Sequence, residues 1–233
     1  MINNILSSIY SRSALFDDSQ KKSLVRGGVV DEQGYISGKP RLVFVLKDPG
    51  VTAAWNWPQQ MREQIKRIEK RGTFDGKAGW QKTARQLGIW SYSVRNSFPI
   101  YEQVNNNPKA AQGLRYCGMT NLKKTLGKSN SSNRSEVEAE ALRTSRLLFQ
   151  ELSIMAPDIT ICCGRRWVYN SLINVLGCPE GNRVIRLSGE RFSYSLGKLG
   201  RGKETLIMDF CHPENRDKKQ ADMYGELRGF STD

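Results

Sequence analysis

The chain has 233 residues, 38% of them hydrophobic, which is enough for one sizeable α/β domain and hardly for two. With 36 Lys and Arg against 23 Asp and Glu, its net charge is +13. That excess points to a polyanionic partner, nucleic acid first, although a basic protein without such a partner has the same composition.

Residues 1–25 read as a helical segment followed by a polar run, and Gly27, Gly28, Gly34 and Gly38 mark turns. Residues 1–38 are therefore expected to form a helical N-terminal extension of a single domain spanning 1–233. Leu42-Val43-Phe44-Val45-Leu46 is the first strong strand. Pro58 falls in the first turn of a basic helix over 58–71, in which Met61, Ile65 and Ile68 share one face. A glycine-punctuated loop runs from Gly72 to Gly79, followed by a helix over 80–88. Met119–Leu122 reads as a short strand, and Lys123–Arg134 as a basic, serine-rich loop. Ser135 and Glu138 have the spacing of a capping box and open one long helix, which Pro157 ends. Ile159–Cys163 is a buried strand, and Gly164 turns the chain into a helix over 165–176. Residues 182–196 alternate as a hairpin does. A strand over 206–210 and a polar helix near 215–228 complete the chain. Strands alternating with helices predict an α/β fold with a right-handed parallel sheet.

Two of these strands end alike. Lys47-Asp48-Pro49-Gly50 follows the first, and Cys211-His212-Pro213 follows the last; His212 is the only histidine. Ligands of open parallel sheets sit outside the carboxyl ends of the strands, and Asp48, Asn121, Gly164 and His212 all fall there. The cysteines (Cys117, Cys162, Cys163, Cys178 and Cys211) are scattered and form no CxxC, so neither a disulfide framework nor a zinc site is expected, and a reducing compartment is favoured. The N-terminus has no positively charged region ahead of an apolar run, and no stretch is apolar enough to span a membrane, so a cytoplasmic protein is expected.

Five ordered segments resemble the uracil-DNA glycosylase superfamily. Lys47-Asp48-Pro49-Gly50 is similar to its first catalytic motif, and Gly72-Thr73-Phe74-Asp75-Gly76-Lys77-Ala78-Gly79 to the Gly-x-Phe-x-Gly-x-Ala-Gly loop of bacterial branches. Thr120-Asn121-Leu122-Lys123-Lys124 resembles a Thr-Asn strand end, Pro157 through Gly164-Arg165 a strand segment, and His212-Pro213 the start of the second catalytic motif. The resemblance implies a four-stranded parallel sheet of order 2-1-3-4 flanked by helices. It implies an enzyme that flips a pyrimidine out of DNA and hydrolyses its N-glycosidic bond. Asp48 would stabilise positive charge on the sugar or activate water, and His212 would donate to the departing pyrimidine. Asn121 would read the base edge, Phe74 would stack on the base, and the backbone at Lys47 would add contacts. Lys123, Lys124, Lys128, Ser131, Arg165 and Arg216 would hold the DNA backbone.

The sequence also departs from the pattern. The cysteines of the iron–sulfur branches are missing, so no metal and no cofactor is expected. Glu214-Asn215-Arg216 replaces the usual serine and small residues after His212-Pro213. Gly50 stands where the uracil-strict branch has a tyrosine, which opens the pocket toward the pyrimidine C5, and Trp55 and Trp57 add aromatic surface beside it. A 5-modified cytosine or uracil is therefore a possible target beside uracil.

Each residue has a structural reading too. Asp48 could cap a turn, His212 could be a satisfied half-buried histidine, and Asn121 could bond backbone. Phe74 and the tryptophans could pack on the core, and the lysines could be a solvated loop. The sequence thus predicts a monomeric, monofunctional DNA N-glycosylase acting on double- or single-stranded DNA, in base-excision repair or in defence against modified phage DNA. The alternative is a relative that holds DNA or a flipped base without cleaving it. A generic nucleotide-binding protein ranks behind both, because no GxGxxG or GxxxxGK[ST] loop follows a strand.

Overall fold

In the run Leu42–Leu46 every residue is apolar and every residue is buried, the pattern of a strand covered on both faces. A computed structural model places it at the centre of the molecule; the structure describes all residues except 49–54, 73–78, 106, 127–132, 165, 178–182, 188–189, 214–218 and 230–233. In chain order the elements are α1 (Ile2–Arg12), α2 (Asp18–Lys22), β1 (Val25–Arg26), β2 (Gly28–Val29), α3 (Glu32–Ser37), β3 (Leu42–Leu46), β4 (Trp55–Asn56), α4 (Trp57–Arg71), α5 (Gly79–Arg95) and α6 (Tyr101–Asn105). A 3-10 segment (Pro108–Tyr116) leads into β5 (Cys117–Asn121), α7 (Arg134–Arg143), α8 (Ser145–Met155), β6 (Ile159–Cys163), α9 (Arg166–Leu176), β7 (Arg183–Leu187), β8 (Glu190–Lys198), β9 (Glu204–Phe210) and α10 (Gln220–Gly229).

Among the described residues the main sheet has seven strands in the order β2-β5-β3-β6-β9-β8-β7. Strands β5, β3, β6 and β9 run parallel, while β2, β8 and β7 add antiparallel edges. The sheet is therefore wider than the four strands expected. The extra width comes from the 182–196 hairpin, which pairs onto β9, and from an N-terminal strand too short to show a period. A separate parallel pair joins β1 to β4.

Alternation along the strands sorts two cores. Leu42, Phe44 and Leu46 face one layer with Trp57, Met61 and Ile65 of α4, Trp90 of α5 and Tyr224 of α10. Val43 and Val45 face the other with Leu6 and Tyr10 of α1, Leu148 and Leu152 of α8, and Leu172 of α9. Residues 1–38 are consequently part of the core rather than an extension of it, since Leu6 and Tyr10 are buried there and β2 pairs with β5.

Local chemistry explains the helix boundaries. Asn56 caps α4 by accepting from the Gln59 N–H, Pro58 sits in its first turn, and Gly72 closes it at φ 68° in the left-handed region that favours glycine. Helix α5 continues well past the expected 80–88. A Cβ on Gly113 would lie 2.1 Å from the Gly88 carbonyl oxygen, so close approach of the 3-10 segment to α5 accounts for the glycine at 113. The long helix expected from Ser135 is two, α7 and α8, meeting at Thr144, and its cap is the Asn133 side chain rather than Ser135.

Candidate active site at the carboxyl ends of the strands

The register aligns Asn121, Leu46, Cys163 and Phe210 in one row across the parallel strands. Pairing outlasts the strands slightly. The Leu122 N–H donates to Leu46 O at 2.9 Å and Lys123 N–H to Lys47 O at 3.0 Å. Asp48 is the first residue of its strand beyond that ladder, and Pro49 brings no N–H to extend it. On the other side of β6, Gly164 N–H donates to Phe210 O at 3.1 Å, and His212 follows two residues later, before Pro213. Asp48 and His212, each two residues past the same row, share one edge of the sheet and are both half-buried. Two strand spacings separate β3 from β9, about 10 Å, so β6 alone lies between them.

Asn121 ends β5 on the layer containing α4, and it is 1% exposed. Trp57, the first residue of α4, donates its indole N–H to the Asn121 Oδ1. Indole can only donate, so this bond fixes which end of the amide faces the tryptophan. The Asn121 Nδ2 is thereby turned away, and it is buried without a hydrogen-bond partner. A buried donor left unmet costs about 1–3 kcal/mol. Trp57 thus both packs in the core and orients the amide. Trp55 contributes backbone to β4, and Lys47 is half-buried next to Asp48.

The structure removes two lysines from the expected DNA-contacting set. Lys123 is 3% exposed and its ammonium is paired with Glu136. Lys124 is fully buried and donates to Glu151 Oε2 at 2.6 Å, to which Thr120 Oγ1 also donates at 2.6 Å. The Tyr10 hydroxyl donates to the other oxygen of Glu151 and accepts from Gly27 N–H at 2.9 Å. Burial pushes the Lys124 ammonium below its usual range, and Glu151 pulls it back. A charge so enclosed cannot meet a phosphate. The expected positions Gly50, Phe74, Lys128, Ser131, Arg165 and Arg216 lie outside the described residues.

Two further buried polar groups were not foreseen from sequence. Asp209, paired in register with Cys162 on the α9 side of the sheet, is 5% exposed. Burial pushes its carboxyl up to about 7, while Arg166 at the start of α9 pulls the other way. Its signal was visible as the one charged residue in the apolar run Leu206–Phe210. Gln86 of α5 is completely buried, and neither its amide oxygen nor its nitrogen has a partner among the described residues.

Cys117, Cys162, Cys163 and Cys211 are buried, and burial pushes the first three thiols above the usual range. Among the described residues no group of His, Cys, Asp and Glu is arranged to hold a metal ion, and no helix is long and apolar enough to cross a membrane. A groove of about 840 Å³ lies between α1 and α8, lined by Ile5, Arg12 and Leu15 among others. It belongs to the outer face of the α1 layer, away from the strand ends, and carries no acid–base pair. No protein-family model matches the sequence, and no curated protein matches it.

Proposed function

We propose that the protein is a monofunctional DNA N-glycosylase that accepts an extruded pyrimidine at the carboxyl edge of its sheet. The observation that carries this reading is the arrangement of Asp48, Asn121 and His212 on one edge, with a buried Asn121 donor that no described residue uses. The four parallel strands, numbered in chain order, run 2-1-3-4 across the sheet. This is the order implied by the resemblance to uracil-DNA glycosylases, and it supports a fold of that kind.

The chemistry follows from the residue types. As the C1′–N1 bond stretches, positive charge grows on the sugar and negative charge on the pyrimidine. The Asp48 carboxylate stabilises the first and holds the water that attacks C1′. The imidazole N–H of His212 stabilises the second at the pyrimidine O2, so the bond's electron pair leaves with the base. Asn121, oriented by Trp57, donates to an acceptor on the base edge. Lys47 is positioned to add backbone contacts. The net charge of +13 favours DNA as the partner, through residues other than Lys123 and Lys124. Targets are uracil or a 5-modified pyrimidine, in keeping with a glycine rather than a tyrosine at position 50 of the sequence, and the protein acts as a monomer in the cytoplasm.

A panel of oligonucleotides carrying uracil, a thymine mismatch or 5-modified cytosines, with alkaline cleavage of abasic sites as readout, tests the reading. A released base with an abasic product supports it. The second reading, capture of a base without cleavage, is favoured by the acidic Glu214 that follows His212-Pro213 in sequence, and tight binding with no product on any substrate would select it.

A further inference from the structure

We propose that Gln86 is a base-contacting residue of this site, the partner of Asn121 in reading the hydrogen-bonding edge of the pyrimidine. The identity of the ligand rests on the glycosylase reading; the placement of Gln86 does not.

Helix α5 fixes the position. Its last residue, Arg95, lies 4.1 Å over the Tyr116 ring and reaches the Lys39 carbonyl at 3.4 Å, next to where β5 and β3 begin. The helix therefore runs antiparallel to the strands, with its N-terminal turns toward their carboxyl ends. Trp90 marks the face turned to the sheet: its ring stands edge-on to Phe210 at 4.9 Å and 6.3 Å from Phe44. Gln86 precedes Trp90 by four residues, so it shares that face, about 6 Å nearer the carboxyl edge. His212 follows the carboxyl end of β9 by two residues. Gln86 thus lies toward the end of the sheet that His212 follows, on the layer that also holds Asn121.

A glutamine is an odd occupant of that position. Thr83 and Trp90, one turn to either side on the same face, are buried, and a leucine or methionine at 86 would fill the space without a second amide to satisfy. Both ends of the Gln86 amide are buried and unpartnered, as is the Asn121 Nδ2. An amide offers one acceptor and a pair of donors, which matches the alternating edge of a pyrimidine. Two unmet amides on one layer, at the same end of the sheet, are accounted for together by a flat heterocycle that bonds to both.

The test pairs stability with function in Gln86→Leu, with Gln86→Met as the variant closest in length. If the amide serves a ligand, both variants unfold at or above the wild-type temperature, and kcat/KM on the excised oligonucleotide falls at least tenfold. Excision at the wild-type rate by a folded variant would overturn the proposal. So would loss of several degrees of thermal stability in both variants, because the amide would then have a partner inside the fold. If the wild type excises no base from any oligonucleotide, the glycosylase reading fails separately. Thermal shift with free uracil and cytosine then decides on Gln86. A rise present in the wild type and lost in Gln86→Leu supports it, and a rise retained in Gln86→Leu, or absent from the wild type, overturns it.

Discussion

Lys124 separates a structural role from a DNA-contacting one. Its ammonium and the Glu151 carboxylate, 2.6 Å apart, are both fully buried, and Thr120 and Tyr10 hold the same carboxylate. Lys124→Met leaves a buried carboxylate without its counter-charge, a loss of about 3–5 kcal/mol. The two hydroxyl donors remain, which keeps the effect toward the lower figure. At about 2–4 °C per kcal/mol for a chain of this size, the melting temperature should fall by about 6–12 °C. Lys124→Met combined with Glu151→Gln removes both charges, keeps an acceptor for Tyr10 and turns an amide N–H toward the Thr120 hydroxyl, which can accept it, and should recover most of the loss. Thermal and urea unfolding of the four proteins in this cycle measure the coupling, expected at about 2–3 kcal/mol. A Lys124→Met protein that melts with the wild type but binds DNA with a salt dependence shallower by about one counterion would refute the reasoning and restore the phosphate contact.

Other consequences follow from the same geometry. Trp57→Phe removes the donor that orients Asn121, so kcat/KM for excision should fall about tenfold, equivalent to about 1.4 kcal/mol; an unchanged value would show that the amide needs no such hold. The Asp209 carboxyl, raised to about 7 from 3.8, keeps a proton in the folded protein that the unfolded chain has already lost between those pH values. Stability therefore declines as pH rises through that window and levels off above it. Asp209→Asn should gain on the wild type between pH 4 and pH 8 by up to about 4 kcal/mol, measured by urea unfolding at both; an equal difference at the two pH values would contradict the buried acid.

The parts of the fold legible in the sequence are those written locally. The apolar run at 42–46 ended by Asp48 and a proline, the Pro58 helix start and the alternating hairpin at 182–196 each carry their own signal, and β3, α4, β7 and β8 lie there. The two-residue strands β1, β2 and β4 have no period to read, because only partners distant in sequence define them. The same limit applies to the site. Asp48 and His212 could be placed on one edge because each ends a strand. The Trp57–Asn121 bond joins residues 64 positions apart, and the Lys124–Glu151 pair joins residues 27 apart. A lysine after a strand end looks like a surface cation until the helix carrying its carboxylate folds over it. Gln86 is hidden for a related reason, since its oddity emerges only when Trp90 shows which side of α5 faces the sheet.

The most direct measurement is single-turnover base release from the best-cleaved oligonucleotide by the wild type, Asp48→Asn and His212→Ala, with DNA affinity determined in parallel. Two groups that act on opposite sides of one breaking bond should each, when removed, slow release at least a hundredfold while affinity changes little. Release at the wild-type rate in both variants would mean that the carboxylate and the imidazole at this edge of the sheet do not share a substrate.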